Sequence, residues 1–182
     1  KVEVMAERMR QINPDMRVEG LVDFFTAQTA EALLAPQYDL LIDAIDSVEN
    51  KCLLLALCWK RGIPVVTCGG AGGRVDPTQI RMADLSQSTS DALLRSVRRK
   101  LRQVHSLPGE GLMGIPAIFS LEVPVFPNAQ GEVCTQREKG VNVKMDCRSG
   151  YGSASFVTGS FGFAAASAGI KLILGTQKEQ LV

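Results

Sequence analysis

An α/β wound sheet is the fold class this sequence predicts, and three observations point to it. Helix, strand, strand, helix and strand patterns follow one another through residues 1–68. The run Leu40-Leu41-Ile42 is apolar without alternation, the pattern of a parallel strand covered on both faces. Gly62 then separates a helical stretch from the short apolar run of residues 63–68. With 182 residues, 46% hydrophobic and 21% charged, the chain can fill one core. Collagen, low-complexity disorder and a disulfide-stapled miniature are excluded.

The elements follow in order. Val2, Met5, Ala6, Met9 and Ile12 recur at helical spacing until Asn13-Pro14 stops them. Residues 16–25 read as a strand, with Val18 alternating against polar neighbours, and residues 38–45 as a buried strand. Residues 47–61 read as a helix with Leu53-Leu54-Leu55 and Trp59 spread round its circumference. Residues 75–85 suggest an edge strand broken by Asp76-Pro77, and residues 91–105 an amphipathic helix. Residues 117–126 and 132–136 suggest a β pair about Asn128-Ala129-Gln130-Gly131. A last helix is expected over residues 152–174. No repeat or linker divides the chain, so one domain is expected.

Charge and cysteine usage narrow the function. Twenty Lys+Arg against 19 Asp+Glu give a net charge of +1, so nucleic-acid binding requires local clustering. The five cysteines contain no CxxC pair, which argues against a disulfide framework and a four-cysteine zinc site. Free thiols suggest a reducing, cytoplasmic setting. Lys1 already lies inside a helical pattern, so further residues are expected before it.

Several constellations carry chemistry. In Asp43-Ala44-Ile45-Asp46-Ser47 two carboxylates sit where a parallel strand ends and a helix begins, the edge at which open α/β sheets bind ligands. Asp46 there suits a capping box with Glu49 or, alternatively, Mg²⁺, a hard ion that takes oxygen ligands. Cys68-Gly69-Gly70-Ala71-Gly72-Gly73 is no dinucleotide fingerprint, because a strand-like segment follows it; a tight sheet-crossing loop is expected. Cys147, between Lys144 and Arg148 and ahead of the last helix, is either an activated thiolate or a packing residue. Arg95, Arg98, Arg99 and Arg102 lie off the apolar stripe Leu93, Leu94, Val97, Leu101 and Val104. They form either a phosphate-binding face or a solvated one. His105 ends that helix, where a positive charge favours the dipole. Residues 149–170 carry no charge and would span a bilayer, but are so rich in Gly and Ser that a packed core or interface helix is expected and a membrane span is not.

Taken together, these segments resemble the tRNA threonylcarbamoyladenosine dehydratases, a branch of the ubiquitin-activating-enzyme (ThiF/MoeB/HesA) superfamily. The resemblance runs from Lys1 to about Leu174. It rests on Lys1-Val2-Glu3-Val4-Met5-Ala6-Glu7-Arg8 with Ile12-Asn13-Pro14, on Ile42-Asp43-Ala44-Ile45-Asp46-Ser47-Val48, and on Gly69-Gly70-Ala71-Gly72-Gly73 with Asp76-Pro77-Thr78-Gln79-Ile80. Met145-Asp146-Cys147 with Ser149-Gly150-Tyr151-Gly152 completes it.

That resemblance implies a Rossmann-like wound sheet: part of a nucleotide-binding half, then a mixed β segment and a long apolar helix, residues 1–182 forming the C-terminal two-thirds of one ThiF-like adenylation domain. It implies ATP-dependent cyclisation of threonylcarbamoyladenosine in tRNA through an acyl-adenylate. Asp46 would hold Mg²⁺, Lys1 would meet the phosphates of ATP, and Cys147 would be catalytic. Partners would be tRNA, a second copy in a homodimer and, by analogy with some relatives, a sulfur-acceptor protein. The family's first strand, glycine-rich nucleotide loop, ribose-binding acid and arginine precede the position of Lys1, so the 182 residues alone are expected not to adenylate. A family cysteine near Ala117 is absent. Two other functions stand beside this one: an adenylating activator of a ubiquitin-like sulfur carrier, and a non-catalytic dimerisation or RNA-binding fragment.

Overall fold

The computed structural model describes residues 1–136 and 151–175, which fall into two compact units, residues 1–36 and residues 37 onward. In the first, α1 (Val2–Ile12) forms as its periodicity predicts and buries Ala6. Gly20 is where the chain passes back over the helix: a β-carbon there would lie 3.1 Å from Val2 Cγ1. Arg10 ties the return by donating to the Val18 carbonyl at 2.6 Å. The strand expected over residues 16–25 is absent; the segment is irregular, and Val22 and Phe24 are 76% and 82% exposed. β propensity needs a neighbouring ladder to act on, and in this unit none of the described residues supplies one. A single turn, α2 (Ala30–Leu33), closes the unit.

The second unit holds a four-stranded sheet of β1 (Leu41–Asp43), β2 (Val65–Cys68), β3 (Ile80–Asp84) and β4 (Pro116–Ser120) in the order β1-β2-β4-β3. β1, β2 and β4 are parallel, and β3 runs antiparallel at the edge. α3 (Val48–Arg61) connects β1 to β2 and ends at Gly62, whose φ of +66° is the left-handed geometry that glycine adopts without strain. α4 (Ala92–His105) starts at Asp91, whose Oδ1 accepts the Leu94 amide at 2.8 Å.

Side-chain alternation along β2 assigns the two faces of the sheet. Val66 packs with Ile118 of β4 beneath Val157, Phe161, Ala165 and Ala168 of α5 (Ser155–Ile173). Thr67 points the other way, toward Lys51 and Asp43, so α3 covers the opposite face. α4 lies against α3, with Leu94, Val97 and Leu101 fully buried and the Cys52 thiol donating to the Val97 carbonyl. Truncating a buried ring such as Phe161 in this core removes about 3–5 kcal/mol.

Two more expectations need correction. Leu40-Leu41-Ile42 is not covered on both faces, since Ile42 is 50% exposed and opens onto a cleft. The β pair about Asn128 is real but small, β5 (Phe126–Pro127) with β6 (Val133–Cys134), whereas residues 116–120 belong to the main sheet. Burial explains the latter: every residue of β4 is buried, which suits a central strand and no hairpin arm.

Candidate functional site at the carboxyl ends of the parallel strands

A cleft of about 450 Å³ opens where β1 and β2 end. One wall is the segment after β1, with Ile42, Ala44 and Asp46; another is Gly69, Gly70, Ala71 and Gly72 after β2; Thr158 and Phe161 of α5 complete it. Open α/β sheets bind ligands at this edge because the strand ends leave a crevice between diverging connections.

The two carboxylates behind the first wall differ in state. Asp43 is 1% exposed and fully engaged: Oδ1 accepts the Ile45 amide at 2.9 Å, and Oδ2 accepts Lys51 Nζ at 2.6 Å and Thr67 Oγ1 at 2.7 Å. Both of its oxygens are thus already held by protein donors. Asp46 is exposed, lines the cleft, and has no hydrogen bond or ion pair among the described residues. The capping box of Asp46 with Glu49 is not formed. Ser47 takes the N-cap position of α3 and its hydroxyl accepts the Asn50 amide, while Glu49 pairs with Lys100. A lone carboxylate fits Mg²⁺ in the mode in which phosphates and water supply the other oxygens. Among the described residues there is no three-carboxylate or histidine–cysteine cluster that would form a closed metal cage.

The glycine wall is shaped by what presses on it from behind. Arg74, 4% exposed, donates to the carbonyls of Gly70, Glu122 and Ser90, and its guanidinium lies 3.7 Å from Asp91 Oδ2. Asp91 Oδ2 in turn accepts the Gly70 amide at 2.9 Å. A β-carbon on Gly69 would stand 2.3 Å from that oxygen, and one on Gly72 2.8 Å from the Tyr151 hydroxyl. The segment is thus the tight crossing loop its sequence predicts, and it also lines the cleft. Lys51, Arg74 and Asp91 are the polar residues behind these walls that motif reading passed over. Their signal was positional: Lys51 lies in the first turn of α3, eight residues after Asp43, and Arg74 directly follows the glycines.

The cysteines separate by environment. Burial pushes the thiols of Cys52, Cys58 and Cys68 up from an ordinary 9.0 to about 11, so each is protonated and non-nucleophilic at neutral pH, including Cys68 beside the cleft. Cys147 lies outside the described residues. Tyr151, four positions later in sequence, stacks on Phe126 with ring centroids 5.4 Å apart, and the following Gly152 carbonyl accepts the Gly73 amide at 2.9 Å.

Lys1 caps α1 in the first unit, with an exposed side chain. On α4, Arg95, Arg99 and Arg102 are exposed, but Arg98 is half-buried and donates to both the carbonyl and the hydroxyl of Ser88. Burial, with Arg102 and Arg95 close by, lowers the Arg98 pKa. Val104, assigned to the apolar stripe, is 62% exposed. His105 does not supply the expected charge to the helix end: burial and the neighbouring Lys60 and Lys100 lower its pKa, leaving it neutral at pH 7.

Comparison with known proteins agrees with this fold. The sequence pattern of the ThiF family matches residues 1–182. A protein of Escherichia coli (strain K12), tRNA threonylcarbamoyladenosine dehydratase, is 42% identical over 183 residues, covering 99% of this chain and 68% of that protein. The protein of the same name from Haemophilus influenzae is 40% identical, covering 96% of this chain and 65% of that protein. Among solved structures, TcdA (CsdL) superposes with a TM-score of 0.84 at 39% identity, over 98% of this chain and 67% of that one. Escherichia coli TcdA in complex with ATP superposes at 0.80 and 37% identity, over 98% of this chain and 65% of that one. The chain therefore spans about two thirds of the length of the relatives it matches.

Proposed function

This chain belongs to the ThiF family, and on that premise we propose that it carries the cleft of an ATP-dependent tRNA threonylcarbamoyladenosine dehydratase. The observation that carries this is the exposed Asp46, without a partner among the described residues, at the rim of the strand-end cleft, in a chain about 40% identical to dehydratases along nearly its whole length. Residues 1–182 are read as part of one adenylation domain, which a single family pattern covering all of them supports.

The chemistry sets what the site must do. A carboxylate is a poor electrophile until one of its oxygens becomes a good leaving group. The substrate carboxylate attacks the α-phosphorus of ATP, pyrophosphate departs, and ring closure at the acyl carbon then expels AMP. Bringing two anions together needs counter-charge. Magnesium, when bound, supplies part of it, with Asp46 as its protein ligand; Lys1 is assigned to the phosphates. The glycine wall offers backbone to the nucleotide at close range. Cys147 is the cysteine we assign to catalysis, because it occupies the cysteine position of the family-like Met145-Asp146-Cys147 motif. Arg95, Arg99 and Arg102, with Arg98 alongside them, are assigned to tRNA phosphates.

The outer face of α5 supports a homodimer. Phe156, Phe163 and Ile170, 57%, 81% and 57% exposed, recur every seven residues and form one apolar stripe. The helix is long and apolar enough to cross a membrane by composition alone, but its other face is packed on the sheet through Val157, Phe161 and Ala165. Free thiols and a tRNA substrate fit the cytoplasm.

Nucleoside mass analysis of tRNA from cells lacking the gene tests the assignment. The cyclic nucleoside disappears and its open-chain precursor accumulates if it holds; unchanged tRNA refutes it.

A further inference from the structure

We propose that Lys51 and Thr67 are positioning residues for Asp46, acting through Asp43 to fix the turn that delivers the Asp46 carboxylate to the cleft. The proposal rests on the reading of Asp46 as the magnesium–nucleotide ligand. Lys51 and Asp43 are 0% and 1% exposed, and their ion pair is closed at 2.6 Å. Taking both charges out of water carries a large desolvation penalty, and an apolar pair of similar volume fills a core as well or better. Core filling therefore does not account for a lysine here.

The contacts show what the pair does instead. Asp43 Oδ1 accepts the Ile45 amide two residues on, a turn held by side chain to backbone, and Ile45 directly precedes Asp46. The orientation of that carboxylate sets the path of residues 43–47. It is pinned on its other oxygen from two separate elements, by Lys51 Nζ of α3 and Thr67 Oγ1 of β2. With Lys51 uncharged, Asp43 loses its strongest tether and its carboxylate is free to rotate, carrying the Ile45 amide and hence Asp46 with it. Sub-ångström placement matters for a metal with near-ideal octahedral demands.

A double-mutant cycle in the intact protein tests this. Affinity for the magnesium complex of a non-hydrolysable ATP analogue is measured by calorimetry for wild type, Asp46→Ala, Lys51→Met and the double variant. Measurements are made below the melting transition of each. Lys51→Met is expected to weaken binding by about tenfold in the wild-type background, and by less than about twofold, the usual limit of additivity error, in the Asp46→Ala background. A core-packing role would leave binding by the folded protein unchanged or give equal losses in both backgrounds, and either result overturns the proposal. Should Lys51→Met not fold, Thr67→Val, which keeps the ion pair, runs the same cycle with a smaller loss expected; no loss, or the same loss in both backgrounds, overturns it. Asp46→Ala without effect on binding overturns the reading of Asp46 and this proposal together.

Discussion

The Gly73 carbonyl accepts the Val125 amide at 2.8 Å, and a β-carbon on Gly73 would stand 2.2 Å from the Val125 carbonyl oxygen. Gly73 also has φ of +68°, so Gly73→Ala meets both a steric and a conformational obstacle. Gly114 is the control: its φ is +72° but nothing lies within 4 Å. Gly114→Ala is expected to lose about 1–2 kcal/mol, and Gly73→Ala clearly more, with weakened nucleotide binding. Thermal melts of the two variants decide the matter, and equal losses would remove the steric account.

Ser47 and Asp46 divide their labour. Ser47→Ala removes the α3 cap and is expected to lower stability by about 1 kcal/mol while leaving nucleotide affinity intact. Asp46→Ala is expected to do the reverse, since the carboxylate has no protein partner among the described residues. Denaturant melts and nucleotide titrations on both variants should show opposite patterns.

The buried thiols set an alkaline limit. Cys52, Cys58 and Cys68 are held near 11 in the fold against an ordinary 9.0. The folded state thus retains protons that the unfolded chain releases between those values. By linkage this stability is fully present below about pH 9 and declines as pH rises toward 11. Substituting Cys68→Ser should flatten that decline in melts taken from pH 8 to 11. Retention of the full slope by each single cysteine variant would place its origin elsewhere.

On α4, Arg99→Glu with Arg102→Glu should weaken tRNA binding and reduce the salt slope by about one for each lost phosphate contact. Arg98→Ala should in addition destabilise the fold, because its guanidinium holds the Ser88 carbonyl at 2.6 Å. An unaltered salt slope in the double variant would exclude this face from the RNA interface.

Phe163→Asp places a charge in the middle of the α5 stripe. If this stripe forms the proposed dimer, sedimentation should show a dimeric wild type and a monomeric variant with the fold intact. A dimer that persists would put the interface on another surface.

Much of this architecture was legible from local patterns. α1, α3 and α4 follow from periodicity with Asn13, Gly62 and Asp91 as punctuation, because helix capping is a sequence-local event. The segment of residues 16–25 and the central placement of β4 were not, since ladder partners are chosen by tertiary packing. At the site, Asp46 was visible as a carboxylate ending a strand. Its separation from Asp43 in state was invisible, depending on Lys51 and Thr67, 8 and 24 residues away.

Residues 69–72 present the cleft with backbone and a single methyl group. Such a surface offers a ligand little side-chain chemistry, and a side chain added at Gly69 would strike Asp91, one added at Gly72 Tyr151. Libraries aimed at altered ligand preference should therefore avoid Gly69 and Gly72 and be concentrated on Ala71 and the facing residues Ile42, Ala44 and Thr158.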